Sequence, residues 1–139
     1  MMVKKAYIIV IGGVLLALLL IVAVLMVSGP VPREVHLTAA DNGSEIELEK
    51  GDVLVITLEA NPTTGYTWDV VKPLDEQVMR QVGEIEFKPE SDLIGAGGVQ
   101  VIQFKIVNAG RVALKLVYHR PWETDVEPPK SFAVQVLAR

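Results

Sequence analysis

The 139-residue chain contains no cysteine. That excludes a thiol nucleophile, a zinc–thiolate centre and a thiol-attached lipid, and an exported domain without disulfides must be held by its core alone. Histidine is almost as scarce. His36 and His119 form neither an HxH nor an HExxH spacing, so no zinc-enzyme pattern exists. Ser44, Ser91 and Ser131 lack the Gly-x-Ser-x-Gly context of a strained nucleophile turn. Glu123, Asp125 and Glu127 lie close together, and a solvated loop is the expectation for them. No nucleophile, base and orienting group can be named together. The chain is expected not to be an enzyme and to need no cofactor or metal.

Basic charge is lacking as well. With Lys4 and Lys5 set aside, 11 Lys and Arg face 17 Asp and Glu, a formal charge of −6. Nucleic-acid binding needs a basic footprint, and a polybasic membrane-surface role needs the same. Neither is present.

One stretch lacks charge altogether. Tyr7 to Val27 holds 21 uncharged residues behind Lys4 and Lys5. As a helix that run is about 32 Å long, against a bilayer core of roughly 30 Å. A cleaved signal peptide usually has a shorter apolar region and a small-residue cleavage site; here Pro30 directly follows Val27-Ser28-Gly29. Residues 1–28 are therefore expected to be a transmembrane anchor, with a cleaved signal segment as the competing reading. Either way the positive-inside rule exports the C-terminal part. Residues 29–34, with Gly29-Pro30-Val31-Pro32, read as a short stiff linker, and 35–139 as one domain.

Helical periodicity is missing from that domain. Ile46 and Leu48 alternate with Glu45, Glu47 and Glu49; Leu54, Ile56 and Leu58 follow the Lys50-Gly51-Asp52 turn. Tyr66, Trp68 and Val70 alternate with polar neighbours, as do Ile102, Phe104 and Ile106. Val112, Leu114, Leu116 and Tyr118 follow the Asn108-Ala109-Gly110 turn, and Phe132, Val134 and Val136 close the chain. Val35 with Leu37 and Ile85 with Phe87 are weaker candidates, and Leu74 to Val82 is ambiguous. Period-two patterning at this spacing predicts an all-β, two-sheet antiparallel sandwich of seven or eight strands. The histidines fall on outward-facing positions.

Three loops stand out. Asn61-Pro62-Thr63-Thr64-Gly65-Tyr66 combines a proline that fixes φ with a glycine free to take positive φ, giving a stiff turn that is by composition alone an ordinary hairpin. Gly95-Ala96-Gly97-Gly98 is nearly bare backbone; a phosphate loop is excluded because a strand follows and no Gly-Lys-Ser/Thr does. Arg120-Pro121-Trp122 puts Arg beside Trp, a hot-spot composition, or else a Trp folded onto the rim.

Asn-Pro-Thr-Thr-Gly-Tyr-x-Trp at 61–68, Gly-x-Gly-Gly at 95–98 and Arg-Pro-Trp at 120–122 resemble, in order and spacing, the chagasin family of papain-like cysteine protease inhibitors. The resemblance spans about residues 35–138. One small departure is Ile102, where the family often has an aromatic residue; the long apolar anchor is the larger one.

The resemblance implies an immunoglobulin-like sandwich whose three loops meet at one end. It implies that Thr63 and Thr64 enter the cleft at the enzyme's cysteine, on a loop shaped by Asn61, Pro62 and Gly65. The backbone of Gly95, Ala96, Gly97 and Gly98 would line one flank. Arg120, Pro121 and Trp122 would grip the other. Tyr66 belongs to the first motif, and Trp68 reads as core. The implied partner is a papain-like cysteine protease, bound reversibly by a monomeric domain. The alternative is a cell-surface adhesion or assembly module using the same loops.

Overall fold

The computed structural model describes residues 12–18 and 31–139. The chain divides into two units, Met1–Val31 and Pro32–Arg139. Residues 12–18 are helical, and among the described residues no helix is long and apolar enough to cross a membrane. The rest of the expected anchor lies outside the described residues.

The second unit is a two-layered β-sandwich of nine strands. They are β1 (Glu34–Leu37), β2 (Glu45–Leu48), β3 (Val53–Ala60), β4 (Thr67–Val70), β5 (Met79–Gln81), β6 (Glu86–Pro89), β7 (Gly98–Ile106), β8 (Gly110–His119) and β9 (Lys130–Ala138). One sheet runs β1-β3-β7-β5, with β6 also on β7; the other runs β2-β9-β8-β4. The alternation read from the sequence holds. Leu54, Ile56, Ile102, Phe104 and Ile106 of one sheet are buried with Leu114, Leu116, Phe132, Val134 and Val136 of the other.

Two expectations are corrected. The sheets are mixed, not purely antiparallel: β1 pairs with β3 in parallel, and β2 with β9 likewise. Periodicity reports which face a residue presents, not the direction of the neighbouring strand. There are also nine strands instead of seven or eight. The weak Ile85–Phe87 signal becomes β6, and the ambiguous stretch ends in β5; both use the same edge of β7, at successive positions along it.

The domain also begins earlier than expected. Arg33, assigned to the linker, donates its backbone N–H to Asp52 Oδ1 and its guanidinium to Oδ2, both at 3.0 Å. Glu49 N–H donates to the same carboxylate at 2.9 Å. Burial pushes the Asp52 pKa up, but the Glu49 and Arg33 hydrogen bonds and the Arg33 charge outweigh it and hold the carboxyl below its ordinary value. This knot closes the end of the sandwich opposite the three loops.

Candidate functional site

The first loop is a single 3-10 turn, Pro62–Thr64, capped by Asn61. Proline suits this first position because its missing N–H would have had no partner there. Asn61 Oδ1 accepts from the backbone N–H of Thr63 at 3.3 Å and also from the Thr63 hydroxyl. The Thr64 hydroxyl donates to the Asn61 carbonyl at 2.6 Å. Gly65 ends the turn at φ 84° and donates to Pro62 O at 2.9 Å. Nearly every polar group of the loop is thus spent on its own shape, while the bodies of Pro62, Thr63 and Thr64 stay exposed.

The second loop joins β6 to β7. Gly98 is required where it leaves: a Cβ there would collide with the Lys88 carbonyl and Pro89 on β6. Glu90 N–H donates to Gly97 O at 3.1 Å, and Ala96 N–H to Leu93 O at 3.1 Å, closing the loop's neck and tip. The tip carries Leu93, 78% exposed, and Ile94, fully exposed. Sequence reading dwelt on the glycines and missed both. Two adjacent large aliphatics beside a glycine-rich turn were the available signal, because a structural loop would bury them.

The third loop leaves β8 through Arg120. Its Nε donates to the Thr64 carbonyl at 3.1 Å, and its Nη1 donates to Glu123 Oε1 at 3.1 Å. The guanidinium lies over the Tyr66 ring, 4.5 Å from the centroid. Tyr66 stacks on Tyr118 at 5.3 Å, and Tyr118 meets Trp68 in a tilted contact at 5.2 Å. A cation and three aromatics therefore form one column from the surface into the core. Arg120 thus braces the first loop from the third.

Trp122 remains 68% exposed, yet its ring lies on Gly65, so closely that a Cβ there would strike it. The ring both packs on the rim and presents a free face, combining the two readings of its sequence.

The three loops adjoin. Asn61 Nδ2 donates to Gly95 O at 3.3 Å, linking the first to the second. Arg120 and Trp122 link the first to the third. From below, Asn61 N–H donates to the Tyr118 hydroxyl at 2.9 Å. All thirteen residues singled out from the sequence lie on or beneath this one edge, with Tyr66 half-buried and Gly98 buried beneath it.

Trp68 is core, as expected: it is buried and its indole N–H donates to Glu59 O at 2.9 Å. Sequence reading missed its partner Gln100. Buried in the opposite sheet, Gln100 accepts from Trp68 N–H and donates to Thr67 Oγ1, both at 2.9 Å, joining the two layers beneath the first loop. His119 corrects another expectation. It faces outward by parity, but the third loop returns over it, and its Nε2 is shielded from solvent. Among the described residues no group of His, Cys, Asp and Glu side chains is arranged to hold a metal ion.

The family described as chagasin family peptidase inhibitor I42 matches residues 47–136. Amoebiasin-2 of Entamoeba histolytica is 33% identical over 104 residues, covering 74% of this chain and 84% of its own. Chagasin of Trypanosoma cruzi is 33% identical over 105 residues, covering 73% of this chain and 96% of its own. The crystal structure of a cysteine protease inhibitor from Entamoeba histolytica superposes with a TM-score of 0.68 at 28% identity, covering 80% of this chain and all of that one.

Proposed function

The chain belongs to the chagasin family of peptidase inhibitors, and on that premise we propose that it is a reversible, competitive inhibitor of papain-family cysteine proteases. The family is one of inhibitors, not enzymes. The observation that carries the reading is the joined edge: three loops tied by Asn61–Gly95, Arg120–Thr64 and Trp122–Gly65 contacts.

Such an edge acts as a wedge. Thr63 and Thr64 enter the cleft at the catalytic cysteine and keep substrate out. Their loop is already ordered by Asn61, so little conformational entropy remains to be lost on binding. Leu93, Ile94 and the backbone of Gly95 to Gly98 line one flank, and Trp122 with Pro121 the other. A footprint of about 800 Å² per partner is standard for protease–inhibitor pairs. Blocking needs no group transfer, so the inhibitor is released unchanged.

The uncharged run from Tyr7 to Val27 supports a membrane anchor that holds a monomeric inhibitor domain on the extracytoplasmic side.

The test is the inhibition constant against papain for the wild-type chain and Thr63→Arg. Inhibition by the wild type, lost in Thr63→Arg without loss of thermal stability, is expected. No inhibition at micromolar wild-type protein would overturn the reading.

A further inference from the structure

His119 closes β8, and Arg120 of the third loop follows it. Across the sheet it lies opposite Thr67, the first residue of β4 after the first loop. Both loops are therefore rooted beside this imidazole. Two residues along β4, Asp69 Oδ2 stands 3.5 Å from His119 Nε2, just too far for a good charge-assisted bond. Asp69 Oδ1 is already engaged, accepting from Val70 N–H at 2.9 Å. His119 Nε2 is shielded from solvent and has no hydrogen-bond partner among the described residues.

Charged side chains lie around the ring. Arg120 and Glu123 line the same small cleft but are paired with each other at 3.1 Å. Glu127 lines it too. On β9, Lys130 lies over the inward Tyr118 ring, 5.5 Å from its centroid, and on β8 the next outward charge is Lys115, four residues back. Asp69 is thus the acid nearest the ring, and among the described residues the His119 contact is its one ion pair. In either neutral tautomer the imidazole brings no charge to this contact; the imidazolium does.

Building on the inhibitor reading above, we propose that His119 is a positioning residue for the binding edge, whose protonation closes the His119–Asp69 contact, fixes the roots of the first and third loops, and tightens inhibition in acid. Closing it takes a movement of about 0.6 to 0.8 Å.

The experiment compares wild type, His119→Gln and Asp69→Asn, each as the full chain in detergent. Inhibition constants against papain are taken between about pH 5 and pH 8, where imidazoles change charge. The ratio of His119→Gln to wild type cancels the enzyme's own pH dependence. It is expected to rise about two- to five-fold from pH 8 to pH 5, the size of a partly exposed ion pair. In the Asp69→Asn background that rise disappears. A second readout needs no protease. In NMR titrations of the free chain, the Trp122 indole and Gly65 amide signals should follow the His119 ring, and cease to follow it in Asp69→Asn. If papain is not inhibited at all, the NMR result still decides this inference, and it is the inhibitor reading that falls. A ratio independent of pH, or loop signals that ignore the ring, would overturn the proposal.

Discussion

The two ends of the sandwich are both tightly tied, but to opposite purpose. At the closed end, Asp52 gathers Arg33 and Glu49, Gly51 N–H donates to Ile106 O at 2.8 Å, and Lys50 N–H to Arg139 O at 3.0 Å. Its bonds tie the β2–β3 turn to the ends of β7 and β9. At the loop end the bonds join loop to loop, while Leu93, Ile94, Trp122 and Val126 stand in solvent. An edge that is rigid and apolar at once has an ordering cost already met and surface still to bury, which is what a tight binder requires. The comparison teaches that order at the loop end is spent on presentation, whereas at the closed end it is spent on stability.

The largest test of this division lies in the core both ends share. Phe104→Ala removes a fully buried ring and should cost about 3–5 kcal/mol of stability. Chemical denaturation reads that loss, and the molecules still folded should inhibit as before. Trp122→Ala should do the reverse. Affinity falls by about 2–4 kcal/mol, as for a central aromatic anchor, and the denaturation midpoint barely moves.

Arg120→Ala comes next and sharpens the idea of bracing. Without its bond to Thr64 O and its place over Tyr66, the first loop loosens, and binding weakens by about 1.5–3 kcal/mol. Arg120→Lys should not restore it, because an ammonium cannot supply the planar guanidinium that stacks on Tyr66; the ratio of the three inhibition constants checks this.

The smallest effect sits at the closed end. Since the folded state holds the Asp52 carboxyl below its ordinary value of 3.8, the unfolded chain takes up this proton first. Its stabilising contribution is complete above that value and drains away as pH falls below it. Thermal melts over about pH 6 to pH 2 should show an acid slope that Asp52→Asn flattens, with inhibition at neutral pH unchanged.

Much of this division was legible in the residues. Period two marked the strands, because each sheet has one buried face. Asn-Pro-Thr-Thr-Gly-Tyr marked its loop, because Pro62, Asn61 and Gly65 act locally. What escaped depends on contacts distant in the chain. Gln100 occupies an inward position of β7, where a polar residue breaks the pattern unless Trp68 N–H and Thr67, more than thirty residues away, are known to meet it. His119 reads as solvent-facing until the third loop returns over it. The brace that Arg120 gives the first loop is hidden until Thr64 O is found 3.1 Å away. The parallel pairs escaped because alternation is the same in either strand direction.

The most direct test of the wedge is the pattern of inhibition, with the fate of the inhibitor followed in the same experiment. Papain turnover is measured at several substrate concentrations, and the chain is then recovered from the complex for mass analysis. The account predicts that the apparent inhibition constant rises linearly with substrate concentration and that the chain returns with its mass unchanged. An apparent constant indifferent to substrate, or a chain cut or covalently modified at the first loop, would contradict it.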